Sequence, residues 1–152
     1  MALLSTDPGG GAAVPADPEV WARLVDNSGT PREQASRLIS LLFPPGTAAE
    51  IDRRFGDLVA AARAELSTET LTAQERAMAA WHDEEQPQRS PAEMPVLVVH
   101  GSEDIVIPPA NADALPVRWP GARIEPIAGG GHAFMAQEPR QLADLLTSFL
   151  RG

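Results

Sequence analysis

PVLVVHGSEDIVIPP, residues 95–109, holds a strand and the loop that follows it. Val96–Val99 is a short, unbroken, mostly β-branched run, the pattern of a strand buried on both faces of a parallel sheet. Gly101 lets the chain turn sharply after the strand, Asp104 is presented on the loop, and Pro108-Pro109 stiffens its far side. Downstream, Pro108–Leu115 suggests one or two helical turns cut by Pro116, Arg123–Ile127 a second strand, and Ala128–His132 (AGGGH) a glycine loop that presents His132. Gln137–Leu150 completes the set as an amphipathic helix with Leu142, Leu145, Leu146, Phe149 and Leu150 facing inward. Strand, helix, strand and helix joined by short connections form an α/β alternation, and such sheets place ligands at the C-terminal ends of their strands. Asp104 and His132 both fall there.

An acid on one loop and a histidine on the next suit a hydrolytic relay. A carboxylate accepting from one ring nitrogen fixes the tautomer, and the other nitrogen is then free to take a proton from a nucleophile. Other readings of the same residues remain open: Asp104 as a cap for the helix after Pro108, His132 as an exposed loop histidine. A metal site built from His100, Asp104 and His132 is a third. His100 ends the strand and reads as a packed core histidine, and Glu103 as solvated. Val106, Phe134 and Phe43 are candidate walls of an apolar substrate pocket, with ordinary core packing as the alternative.

Moving outward to the N-terminus, Met1–Ser5 reads as a short apolar strand followed by a turn-rich segment to Val14. From Asp17 to His82 the signal is helical. Asp17-Pro18-Glu19 is an N-cap with proline at the first helical position, and Thr30–Glu33 is a capping box. Pro44-Pro45-Gly46 stops the second helix, and boxes at Thr47–Glu50 and Thr72–Glu75 are expected to open two more. Their apolar stripes need a partner surface, either one another in a small bundle or a core they cover as a lid. His82–Pro95, polar, acidic and proline-punctuated, reads as a surface connector, with His82 as a solvated charge at a helix end.

Composition narrows the function classes. The chain has 152 residues, with room for one domain with a real core. Its formal charge of −9, with arginine as the sole basic side chain type, disfavours nucleic acid. The absence of cysteine excludes disulfides, thiolate metal sites and a cysteine nucleophile. MALLSTDPGG lacks the basic and apolar regions of a signal peptide and is too short a run for a membrane span, so a cytoplasmic protein without membrane contact is expected.

With those residues in view, the sequence resembles the α/β hydrolases. PVLVVHGSEDIVIPP is similar to the strand and G-x-x-D-x-x-x-P acid loop of that family, and WPGARIEPIAGGGHAFMAQEP to its next strand and G-x-G-H loop. The resemblance implies an α/β fold, namely the C-terminal part of an α/β hydrolase with about three parallel strands and flanking helices, plus a helical cap. It implies residues 1–14 as the strand and turn before the cap, 15–90 as the cap, and 91–152 as the core segment. Asp104 is implied as the triad acid and His132 as the base, acting on a small ester or related electrophile, with neither metal nor organic cofactor. No serine lies in the family's G-x-S-x-G elbow, so this polypeptide is expected to be inactive by itself. Self-association or a complementary N-terminal fragment is expected at the open edge of the first strand. A non-catalytic binding or interaction module derived from the same fold is the alternative.

Overall fold

The computed structural model describes residues 1–84 and 94–152. Three parallel strands, β1 (Ala2–Leu4), β2 (Leu97–Gly101) and β3 (Arg123–Ile127), lie side by side in sequence order. Leu3 stands opposite Val98, and Val98 opposite Ile124. β2 is central and buried along its whole length. Leu97 and Val99 enter one core with Ile127, Phe134 and Leu142, whereas Val96 and Val98 enter another with Ala112 and Leu115. Successive strand side chains point to opposite faces, so an unbroken apolar run is what a strand covered on both sides requires.

Helix α5 (Ala110–Arg118) covers one face. The other is covered by the one-turn α6 (Phe134–Gln137) and by α7 (Pro139–Arg151). Contrary to expectation, α5 runs past Pro116 to Arg118. A proline that late in a short helix removes one amide donor but leaves the preceding turns intact. The final helix begins at Pro139, two residues later than expected, because Phe134–Gln137 forms its own turn.

Between β1 and β2 the chain makes four helices: α1 (Pro18–Val25), α2 (Pro31–Leu42), α3 (Pro45–Ala64) and α4 (Thr68–Asp83). Asp17 caps α1 by accepting from the Glu19 amide, and Thr30 with Glu33 forms the reciprocal capping box of α2. The two other expected boxes are corrected. α3 starts at Pro45 on Pro44, without a side-chain cap, so Thr47 is already helical. α4 starts on Ser67, whose hydroxyl accepts from the Thr70 amide, so Thr72 lies inside it. α2 and α3 pack around Ile39, Phe43 and Ala48, and Arg32 bridges them through Asp52 at 2.8 Å. The expected boundary at 90/91 and most of the His82–Pro95 connector lie outside the described residues. Among the described residues no helix is long and apolar enough to cross a membrane.

The turn after β1 is joined to distant parts of the fold. Ser5 leaves the strand with φ 41°, in the left-handed region that side chains other than glycine seldom enter. Its amide donates to Val99 O, and its hydroxyl to the main-chain oxygen of His132 at 2.8 Å. Farther on, the fully buried Asn111 side chain both accepts from Val14 N and donates to Val14 O, fixing this segment to α5.

Candidate active site

The acid loop begins where β2 ends. Glycine at 101 is required by a close approach: a Cβ there would sit against the carbonyl oxygens of Gly130 and Gly131. The two loops are thus in direct backbone contact. Ser102 N donates to Ile127 O at 3.0 Å and Glu103 N to Gly130 O at 2.8 Å. Gly129 N in turn donates to the Ser102 hydroxyl at 2.9 Å. Ser102 therefore ties the loops together.

Asp104 turns back into its own loop. Its Oδ1 accepts from the amides of Val106 and Ile107, both at 2.9 Å, and its Oδ2 lies 2.9 Å from His132 Nδ1. The Asp104 side chain is 0 % exposed, whereas the His132 side chain is 26 % exposed. Two amide donors hold one oxygen and leave the other for the imidazole. A carboxylate only accepts, so the bond places the proton on Nδ1 and leaves Nε2 as the acceptor. No hydrogen bond to Nε2 is formed among the described residues.

The glycine loop that carries His132 is braced by α6 and by the end of α2. Gly129 has φ 68°, a conformation glycine adopts without cost. Gln137 donates to Gly129 O at 2.8 Å and accepts from Gly131 N at 3.2 Å, closing the loop from α6. Ala133 N donates to Leu42 O at 3.0 Å, and a Cβ on Gly131 would come within 2.6 Å of that same oxygen. The end of α2 is therefore pressed against the histidine loop.

His100 is buried behind Asp104, with Nε2 2.8 Å from Ile107 O and 3.5 Å from Asp104 Oδ2. Its contact with the carbonyl makes Nε2 a donor, which matches the expected core histidine. Among the described residues no group of three His, Asp or Glu is placed to hold a metal ion.

His132 opens onto two cavities of about 310 and 480 Å³, both also lined by Leu24, Met78 and Val106. Of the candidate pocket walls, Val106 lines both. The other two need correction. Phe134, 0 % exposed, packs under the sheet with Leu97 and Val99, and Phe43 packs between α2 and α3 with Ile39 and Ala48. Both side chains follow backbone elements that face a core, and neither lines these cavities. No local sequence signal marks Ser5 and Gln137, which brace the histidine loop. Contrary to expectation, His82 is not simply solvated: its Nε2 lies 3.2 Å from Asp7 Oδ2.

No family model matches the sequence, and no curated protein matches it. Solved structures do. A meta-cleavage product hydrolase from Pseudomonas fluorescens superposes with TM-score 0.78 at 14% identity, over 99% of this chain and 55% of that one. A hydrolase from Pseudomonas aeruginosa gives TM-score 0.71 at 22% identity, again over 99% and 55%. The fold is that of the α/β hydrolases. A third member of the fold, a 2-hydroxy-6-oxo-6-phenylhexa-2,4-dienoate hydrolase from a Rhodococcus species, gives TM-score 0.65 at 20% identity over 99% and 54%. The chain thus spans about half the length of the α/β-hydrolase structures it matches and corresponds to their C-terminal portion. At these identities the likeness establishes the architecture and leaves the chemistry to the residues.

Proposed function

We propose that this chain carries the acid and the base of an esterase-like α/β hydrolase, with Asp104 and His132 in those roles. The observation that carries the reading is the Asp104–His132 contact, formed beyond the C-terminal ends of β2 and β3 with the imidazole facing a cavity. His132 Nε2 takes the proton of the nucleophile as it attacks the ester carbonyl and returns it to the leaving alcohol. Asp104 keeps Nδ1 protonated and stabilises the imidazolium between those steps.

The nucleophile comes from elsewhere in this reading. The hydroxyl of Ser5 follows a strand in a left-handed turn, but it is bonded to the main-chain oxygen of His132 and not to the ring. A serine or aspartate elbow on a preceding segment, or on a complementary fragment, is required, and α1–α4 act as a cap over the pocket. Loss of a nucleophile typically lowers turnover about a million-fold, so the 152 residues alone are inactive. The same absence favours one rival, a binding module that retains the pocket without the chemistry.

Sequencing the DNA upstream and assaying the protein encoded there separates the two. An in-frame or adjacent nucleophile elbow, with hydrolysis of p-nitrophenyl butyrate that falls at least a thousand-fold in His132→Ala, is the expected result. An unrelated upstream gene, or hydrolysis indifferent to His132, refutes the proposal.

A further inference from the structure

The larger cavity has a second carboxylate–imidazole pair in its wall. Asp7, 9 % exposed, accepts on Oδ1 from Gly9 N and from Trp81 Nε1, both at 2.8 Å, and its Oδ2 faces His82 Nε2 at 3.2 Å. Asp7 leaves the turn after β1, and His82 is in the last turn of α4, so the pair joins segments 75 positions apart. Its arrangement parallels the Asp104–His132 pair: two N–H donors fix one carboxylate oxygen, and the other orients a ring. The difference lies in the nitrogen used. His132 gives Nδ1 to its acid, whereas His82 gives Nε2.

A ring whose Nε2–H is donated to a carboxylate presents a bare Nδ1, an acceptor. The His82 side chain remains 35 % exposed and lines the same 480 Å³ cavity as His132. Most of the remaining wall is apolar, with Val14, Trp21, Leu24, Met78, Val106 and Ile107. A few oriented polar groups in an apolar wall are what fix a small ligand's orientation. The chain's formal charge of −9 and the Asp7 carboxylate in this wall disfavour an anion.

We infer that the Asp7–His82 pair is a recognition site for a neutral hydroxyl on the substrate, away from the bond being broken. Combined with the hydrolase reading on which it rests, this makes the substrate class an apolar ester bearing a hydroxyl group. His82 Nδ1 accepts a hydrogen bond from the hydroxyl, and Asp7 holds the ring in the tautomer that leaves that nitrogen an acceptor. The pair is a specificity device and takes no part in bond cleavage.

Binding of hexyl acetate and of its terminal-hydroxy analogue to the 152-residue chain tests this. Binding is followed by calorimetry and by the ring ¹⁵N signals of the three histidines. The hydroxy analogue is expected to bind about tenfold more tightly, the worth of one hydrogen bond. It is also expected to shift the His82 Nδ1 signal, which hexyl acetate leaves in place. His82→Leu should remove the preference while retaining hexyl acetate, and the ¹⁵N shift in the unmodified chain decides the matter if that variant does not fold. Equal affinities with His132 shifted by both esters overturn the hydroxyl site and leave the ester pocket standing. A hydroxyl preference that shifts His82 while His132 stays silent supports the site and counts against the hydrolase reading. No binding of either compound overturns the hydroxyl site, and the His132→Ala assay decides the hydrolase reading separately.

Discussion

Gly101→Ala tests the contact on which the candidate site depends. The added methyl would press on two main-chain oxygens, those of Gly130 and Gly131, and neither can swing aside as a side-chain end would. The acid loop and histidine loop must separate instead. Overpacking of this kind costs about 1–3 kcal/mol. Separation also weakens Ser102 N to Ile127 O and Glu103 N to Gly130 O, each worth about 1 kcal/mol net. The sum is about 3–5 kcal/mol, a large share of the roughly 5–15 kcal/mol that holds a domain folded. Gly121→Ala provides the contrast. It has φ 86° and no atom within 4 Å of an added Cβ, so it carries only the left-handed penalty of about 1–2 kcal/mol. Gly11→Ala, with open space and no positive φ, should be close to neutral. Urea unfolding of the three variants beside the parent gives the order directly. Gly101→Ala unfolding at the same midpoint as Gly11→Ala would refute the claim that the loops are held in backbone contact.

Two further outcomes follow from the helical segment. Thr30→Ala should cost about 1 kcal/mol, because it breaks a reciprocal capping box, whereas Thr47→Ala and Thr72→Ala should change stability little, since neither residue caps a helix. Denaturant midpoints of the three variants check this. The second outcome concerns pH. Hydrogen bonding by Arg32 holds the Asp52 carboxyl below its ordinary value, and the Thr30 amide does the same for Glu33. Groups depressed on folding stabilise the native state above their unfolded value, and that stabilisation is lost as pH falls through the folded one. Packing of α2 on α3 should therefore weaken only in acid, and Asp52→Asn should flatten part of that acid slope in pH-dependent unfolding. A stability loss confined to alkaline pH would contradict the assignment.

The α/β segment was the readable part because its signals are local. β2 needed no partner to be recognised, since Val96–Val99 is apolar on both strand faces, and the structure buries both. Asp104 and His132 followed from strand ends and loop glycines, and the structure brings them to 2.9 Å. What escaped was set by tertiary contacts or by one residue serving two ends. Pro44-Pro45 reads as a stop, but the same prolines also start α3, since a missing amide costs nothing in the first turn. Phe134 looked like a pocket wall beside the histidine, and the α6 turn sends it into the core instead. His82 looked solvated because its partner, Asp7, is 75 positions away. No local pattern encodes a pairing at that separation.

Asp104 fixes His132 with Nδ1 protonated and Nε2 free to accept a proton. Long-range ¹H–¹⁵N correlation of the His132 ring at neutral-to-alkaline pH, in the parent chain and in Asp104→Ala, measures that tautomer. A single Nδ1–H tautomer is expected in the parent, and a mixture or the opposite tautomer in the variant. A parent ring protonated on Nε2, or a tautomer unchanged by removal of Asp104, would contradict it.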